Sequence, residues 1–205
     1  VKPFRSTNLV LAVERRVKIG SLSSNDWLLR AGYSYTHGTD LRIDTDSWFT
    51  TQVYAEAGRF LRAHRGYATF EADVGRSIRL KDIDARLVLF PHLVLALDHD
   101  SKLASGQRTA SGAGVGLAAR YWFNENRHQA PRSYVDVSLQ YRARLGGGTR
   151  GKGVFLTVLG FGRGNYDDAL MQALAQNGNG AAAYIDTIAE ARKVLVEEAT
   201  STLFP

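Results

Sequence analysis

Hydrophobic and polar positions alternate with a period of two over most of the chain, and this alternation stops abruptly near Leu145–Gly162. Period two places alternate side chains on opposite faces of a strand. The clearest case is the segment from Trp27 to Thr36. There Trp27, Leu29, Ala31, Tyr33 and Tyr35 fall on one face, and Leu28, Arg30, Gly32, Ser34 and Thr36 on the other. Trp48–Leu61 sets Phe49, Val53, Ala55 and Ala57 against Gln52, Tyr54, Glu56 and Gly58, and Tyr67–Ser77 sets Ala68, Phe70, Ala72 and Val74 against Thr69, Glu71, Asp73 and Gly75. The short stretch Arg62–Gly66 between them has the length of a hairpin rather than a crossover.

Ser111–Phe123 and Ser133–Leu145 repeat the pattern, with Val115, Leu117, Ala119 and Tyr121 on one apolar face and Val135, Val137, Leu139 and Tyr141 on the other. Two segments are less regular. Asn8–Val17 distinguishes its faces poorly, since Val10 and Ala12 oppose Leu9, Leu11 and Val13. Leu87–Leu97 is apolar on both faces and carries Pro91, which cannot donate to a ladder and predicts an edge, a bulge or an irregular strand.

Segments of about ten residues, apolar and aromatic on one side and ionic on the other, fit a transmembrane β-barrel better than a soluble sandwich, whose strands are typically about five or six residues. Hydrocarbon offers backbone groups no hydrogen bonds, so such strands must pair throughout and turn only apolar side chains outward. Arg30, Glu56, Glu71, Asp73, Arg120, Asp136, Arg142 and Arg144 would then line the interior, with opposite signs pairing across strands.

Beyond the seam the spacing becomes helical. Val154–Leu159 reads as a buried strand and Asn165 as a helix N-cap with Asp168 three residues on; a helix runs to about Gln176 and ends at Gly178. Ala181–Ile185 is a second short strand, and Thr187 with Glu190 opens a second helix to about Ala199. This β-α-β-α order belongs to a parallel sheet. The expected organisation is therefore mainly β: an antiparallel up-and-down transmembrane β-barrel segment of about seven or eight strands over 1–152, then a small β-α-β-α fragment over 153–205.

Composition narrows the function. The chain of 205 residues has no cysteine, which removes disulfide frameworks and thiolate metal sites. Its net charge of +6 is spread along the chain, which favours anionic neighbours such as lipopolysaccharide and argues against nucleic acid. No stretch reaches the roughly 18 consecutive apolar residues of a membrane helix, and no signal peptide precedes the strands; a chain starting at Val1 is expected to be part of something longer.

Short motifs assign no catalytic, cofactor-binding or metal-binding residue. Gly146–Lys152 fits GxxxxGK, but Gly153 stands where a magnesium-binding hydroxyl is needed, and Gly114, Gly116 and Ala119 sit inside a strand rather than at a strand-to-helix turn. Asp98 and Asp100 begin like a calcium loop, but Lys102 and Leu103 break it. His37, His64, His92, His99 and His128 contain no HExxH pair and are expected in loops or interfaces; the GFGRG turn at Gly160–Gly164 reads as a plain connection. The chain is expected to be no enzyme.

Three stretches, TNLVLAVERRVKIGSLSSNDWLLRAGYSYTHGTDLR, LVLFPHLVLALDHD and GVGLAARYWFNENRHQAPRSYVDVSLQYR, resemble the C-terminal region of the bacteriophage N4 adsorption protein A family over about residues 1–156. The resemblance implies an outer-membrane, porin-like phage receptor linked to polysaccharide export, with outer-membrane lipid, lipopolysaccharide, a phage tail protein or exopolysaccharide as partners. The closing strand departs from that pattern: GVFLTV begins it, but LGFGRGNYDDALM follows instead of a terminal aromatic. From Val154 to Phe204 the sequence resembles the end of a bacterial von Willebrand factor A domain, without the Asp-x-Ser-x-Ser motif that binds its cation. A truncated binding module without its metal site, or a chimeric or misassembled fusion with no function of its own, are the alternative readings.

Overall fold

The computed structural model describes residues 5–17, 25–39, 45–123, 133–149, 152–161 and 182–185. Its strands are β1 (Arg5–Arg16), β2 (Asp26–His37), β3 (Ser47–Phe60), β4 (Arg65–Arg79), β5 (Leu87–Asp100), β6 (Thr109–Phe123), β7 (Ser133–Gly147), β8 (Gly153–Phe161) and β9 (Ala182–Ile185). They lie in one sheet in chain order. β1 runs antiparallel to β2 from Arg5↔His37 to Arg16↔Asp26, and β2 to β3 from Leu28↔Phe60 to His37↔Thr51. The other neighbours up to β8 are joined by connections too short for a parallel crossover, so the up-and-down order continues.

Sequence and structure agree closely on where these strands lie, and the differences are informative. Pro91 was expected to mark an edge or a bulge, but β5 runs unbroken between β4 and β6. Pro91 stands on the exposed face with Leu93, Leu95 and Leu97, while Val88, Phe90, His92, Val94 and Ala96 are buried. The alternation is real but hidden, because the buried side of this strand is nearly as apolar as the exposed side. After β8, β9 pairs in parallel register, Val158↔Ala182 to Phe161↔Ile185, but the expected β-α-β-α fragment is not seen among the described residues. The two expected helices, and His128, lie outside the described residues.

Contacts divide the chain into two compact units, Val1–Arg76 with His92–Val115 and Arg142–Gly153, and Ser77–Pro91 with Gly116–Tyr141 and Val154–Pro205. In the first, Leu28, Phe60 and Tyr67 form a buried cluster from three adjacent strands. The Tyr67 ring lies flat against Gly58, where a side chain on Gly58 would collide with ring carbons and the phenol oxygen. The short β3–β4 turn is held by Asp26, whose carboxylate accepts the N–H groups of Trp27 (2.7 Å), Arg62 (2.7 Å) and Ala63 (3.0 Å). His64 completes that turn with φ of 49°. At the β2–β3 connection Gly38, at φ 74°, offers its carbonyl to Trp48 Nε1 and to Thr50 Oγ1.

In the second unit the Leu80–Arg86 turn closes through Leu80 N–H to Leu87 O at 3.0 Å. The Arg86 guanidinium and backbone N–H, with the Tyr121 hydroxyl, hold the Asp84 carboxyl well below the usual carboxylate range. Trp122 N–H donates to Arg86 O at 3.1 Å, which ties the turn to the end of β6.

The Gly58–Tyr67 contact yields the first prediction. Gly58→Val displaces the Tyr67 ring from its neighbours Leu28 and Phe60 and should cost about 1–3 kcal/mol. Urea unfolding of the protein in detergent micelles measures this, and an unchanged midpoint would show that the ring has room to move.

Candidate functional site

Side-chain burial in this sheet is inverted relative to a water-soluble domain. Leu9, Leu11 and Val13 are 67–76% exposed and Leu139 51%, whereas the side chains of Arg30 and Glu56 keep only 11% and 5% of their surface. Trp27, Leu29, Phe49, Leu93, Val115, Leu117, Val137 and Tyr141 are likewise exposed. The ionic face is therefore the enclosed one, and a charge enclosed without a partner is strongly destabilising. The candidate site is this ionic face.

In the first unit Arg30, on β2, stands between two carboxylates from the flanking strands. Its guanidinium lies 2.6 Å from Glu14 Oε1 and 3.3 Å from Glu56 Oε2. Glu56 also accepts the hydroxyls of Tyr54 (2.8 Å) and Tyr67 (2.7 Å). Strand pairing puts these residues together, since Arg30 lies opposite Ala12 on one side and Gly58 on the other, within one diagonal step of both glutamates. Arg30 Nε is buried with no hydrogen-bond partner, so the network is nearly but not fully satisfied.

Further along the same unit Arg142 meets Glu71 at 2.6 Å, and the deeply buried His92 lies with Nε2 3.9 Å from Asp73 Oδ1. In the second unit Arg120 donates through Nε to Asp136 at 2.7 Å. Its guanidinium also stacks over the Tyr134 ring at 4.5 Å, and Trp122 packs against that ring at 4.7 Å between centroids.

Of the eight residues the sequence assigned to this face, Arg144 departs: it is exposed near the end of β7. β7 continues to Gly147, but at its glycine-rich end alternation no longer sets burial. The other seven are buried or half-buried, and six of them form the opposite-sign pairs expected across strands, Asp73 facing a histidine instead. Glu14, Tyr67 and His92 also belong to the face, and Tyr54, placed there with Glu56 by alternation, was not read as part of the ionic network. Glu14 and Tyr54 share parity with Arg30 and Glu56, which was signal enough; His92 was masked by its apolar strand.

Chemically the face carries a set of cross-strand ion pairs. Among the described residues no group of three metal-ligating side chains occurs. The calcium-like aspartates have other partners: Asp100, at the end of β5, takes Arg65 at 2.7 Å and the Lys102 N–H at 3.0 Å, and Asp98 on β5 takes the hydroxyl of Thr69 on β4 at 2.8 Å. The glycines of the GxxxxGK stretch shape a turn, with Gly147 at φ 72° and Gly148 N–H on Thr109 O at 2.9 Å.

Fold and face together define a sequential up-and-down β-sheet protein with charges enclosed and apolar side chains displayed. The family described as Bacteriophage N adsorption protein A C-term matches residues 1–158, and the chain belongs to this family. A separate similarity, 49% identity over 49 residues, is to the uncharacterized protein YfbK of Escherichia coli strain K12; it covers 24% of this chain and 8% of that relative's length. No solved structure matches.

Removing one member of the Arg30 network should be costly. Glu56→Ala removes one of Arg30's two carboxylates, leaving it Glu14, and takes away the acceptor of both phenols; it is expected to lose about 1–3 kcal/mol. Glu56→Gln, which keeps an acceptor for the phenols, should lose less. Urea unfolding in micelles reads both, and a Glu56→Ala cost below about 1 kcal/mol would mean that water reaches this face freely.

Proposed function

We propose that β1–β8 form an outer-membrane, porin-like segment in which the displayed apolar face meets lipid and the ion-paired face lines an enclosed polar interior. It acts without enzymatic chemistry, as part of a surface receptor used in phage adsorption. The inverted burial is the observation that carries this reading. Outward positions from Leu9 to Val13 on β1, Trp27 to Tyr35 on β2 and Val137 to Leu145 on β7 hold no charge, as a lipid-facing band demands. Strands of 12–15 residues from β1 to β7 exceed the roughly 9–11 residues a tilted strand needs to cross hydrocarbon. No helix among the described residues is long and apolar enough to span a membrane. Family membership supports the link to phage adsorption and makes a phage tail protein or a surface polysaccharide the fitting partner.

A second reading concerns history. The chain carries a family match through residue 158 and a 49-residue similarity to another protein, and the parallel β8–β9 pair breaks the antiparallel order. These observations favour a fusion, with the final part derived from a von Willebrand factor A-like domain whose metal motif is missing.

The membrane reading predicts partition into the detergent phase and a band whose mobility shifts on heating. Recovery as a stable monomer in aqueous buffer would defeat it. The fusion reading predicts that genomic DNA amplified across Arg144–Phe161 gives one continuous product; products from two separate loci would show instead that the join is not present in the cell.

A further inference from the structure

On the displayed face, charge returns towards the strand ends, and one such corner of the first unit also carries a tryptophan. Following the outward parity of β1 through Leu9, Leu11 and Val13 leads to Arg15, and following β3 through Ala57 leads to Arg59; both are exposed. Arg15 lies opposite Trp27, with its guanidinium 5.8 Å from the indole ring centre. Arg59 lies opposite Leu29, one outward position along from Trp27. Just past the end of β3 is Leu61, whose N–H donates to Trp27 O at 2.9 Å. Arg62 follows it, and the hydrogen bonds of Asp26 fix its backbone in the turn.

Arg15 and Arg59 thus stand on either side of one half-exposed tryptophan where the apolar band ends, and exposed Arg62 lies in the adjoining turn, where its charge also acts on Asp26. β1 and β3 stand about 10 Å apart, a gap that two arginine side chains can close from either side. None of the three forms a salt bridge among the described residues, whereas Arg30, Arg65, Arg86, Arg120 and Arg142 all do. Asp26, the carboxylate beside them, is buried and already holds three backbone N–H groups. Guanidinium forks match phosphate oxygens, and an indole beside them suits the boundary between headgroups and hydrocarbon.

We propose that Arg15, Arg59 and Arg62, with Trp27, bind the phosphorylated headgroup of an anionic lipid whose acyl chains lie along Leu29, Val13 and Leu11. This rests on the membrane reading above. The apolar wall running away from the cations separates a lipid from a free phosphate ion, because only a lipid uses both.

The test is native mass spectrometry of the full chain in nonionic detergent, titrated with lipid A, phosphatidylcholine or inorganic phosphate. The wild-type protein should retain lipid A, and the Arg15→Gln, Arg59→Gln, Arg62→Gln triple variant should bind it about tenfold or more weakly. A Lys102→Gln, Arg144→Gln variant, altered at exposed cations elsewhere, should match wild type. Equal retention of phosphatidylcholine, competition by inorganic phosphate, or an unchanged triple variant would overturn the inference while leaving the membrane reading intact. Failure to enter detergent at all would overturn both.

Discussion

The arrangement depends on Arg30 and the two glutamates that hold it. A sheet that displays its oily face holds the charges of its ionic face largely away from solvent, and opposite charges are supplied by neighbouring strands at the correct diagonal. Glu14 and Glu56 do this for Arg30, Glu71 for Arg142 and Asp136 for Arg120. Such pairs add little net stability over apolar replacements, but they penalise any slip in register. A shift of one residue sends Arg30 to the displayed side and Leu29 to the enclosed side, so the charges determine how the strands line up.

Turn carboxylates extend this control to the strand ends. Asp26, Asp84 and Asp100 each gather several donors within a few residues of a reversal. Asp26 and Asp100 are buried there, and Arg65 links Asp100 to the start of β4. The hairpins are thus closed by polar chemistry, while the aromatic cluster of Phe60 and Tyr67 fills the space beneath the β3–β4 turn.

Most of this was legible in the chain. Strands β2, β3, β4, β6 and β7 could be placed from alternation because one face of each carries carboxylates or arginines that no apolar core would accept. Where the enclosed face happens to be apolar, as at Val88, Phe90, Val94 and Ala96, alternation vanishes and Pro91 misleads. The pairings themselves were not legible: parity says that Arg30 and Glu56 share a face, but only the register of β1, β2 and β3 says that Glu14 is the second partner and that Tyr67 reaches across to the same carboxylate. Arg144 shows the opposite limit, since parity stops predicting burial where a strand runs out into glycine.

The parallel partner of β8 has a consequence for assembly. With β7 on one side and β9 on the other, the main-chain groups of Val158–Phe161 are already engaged. On that side of β8, Gly153–Thr157 have no partner strand among the described residues, and the ladder continues only as the four residues of β9, so the edge offered to any further strand is far shorter than the twelve residues of β1 at the other end.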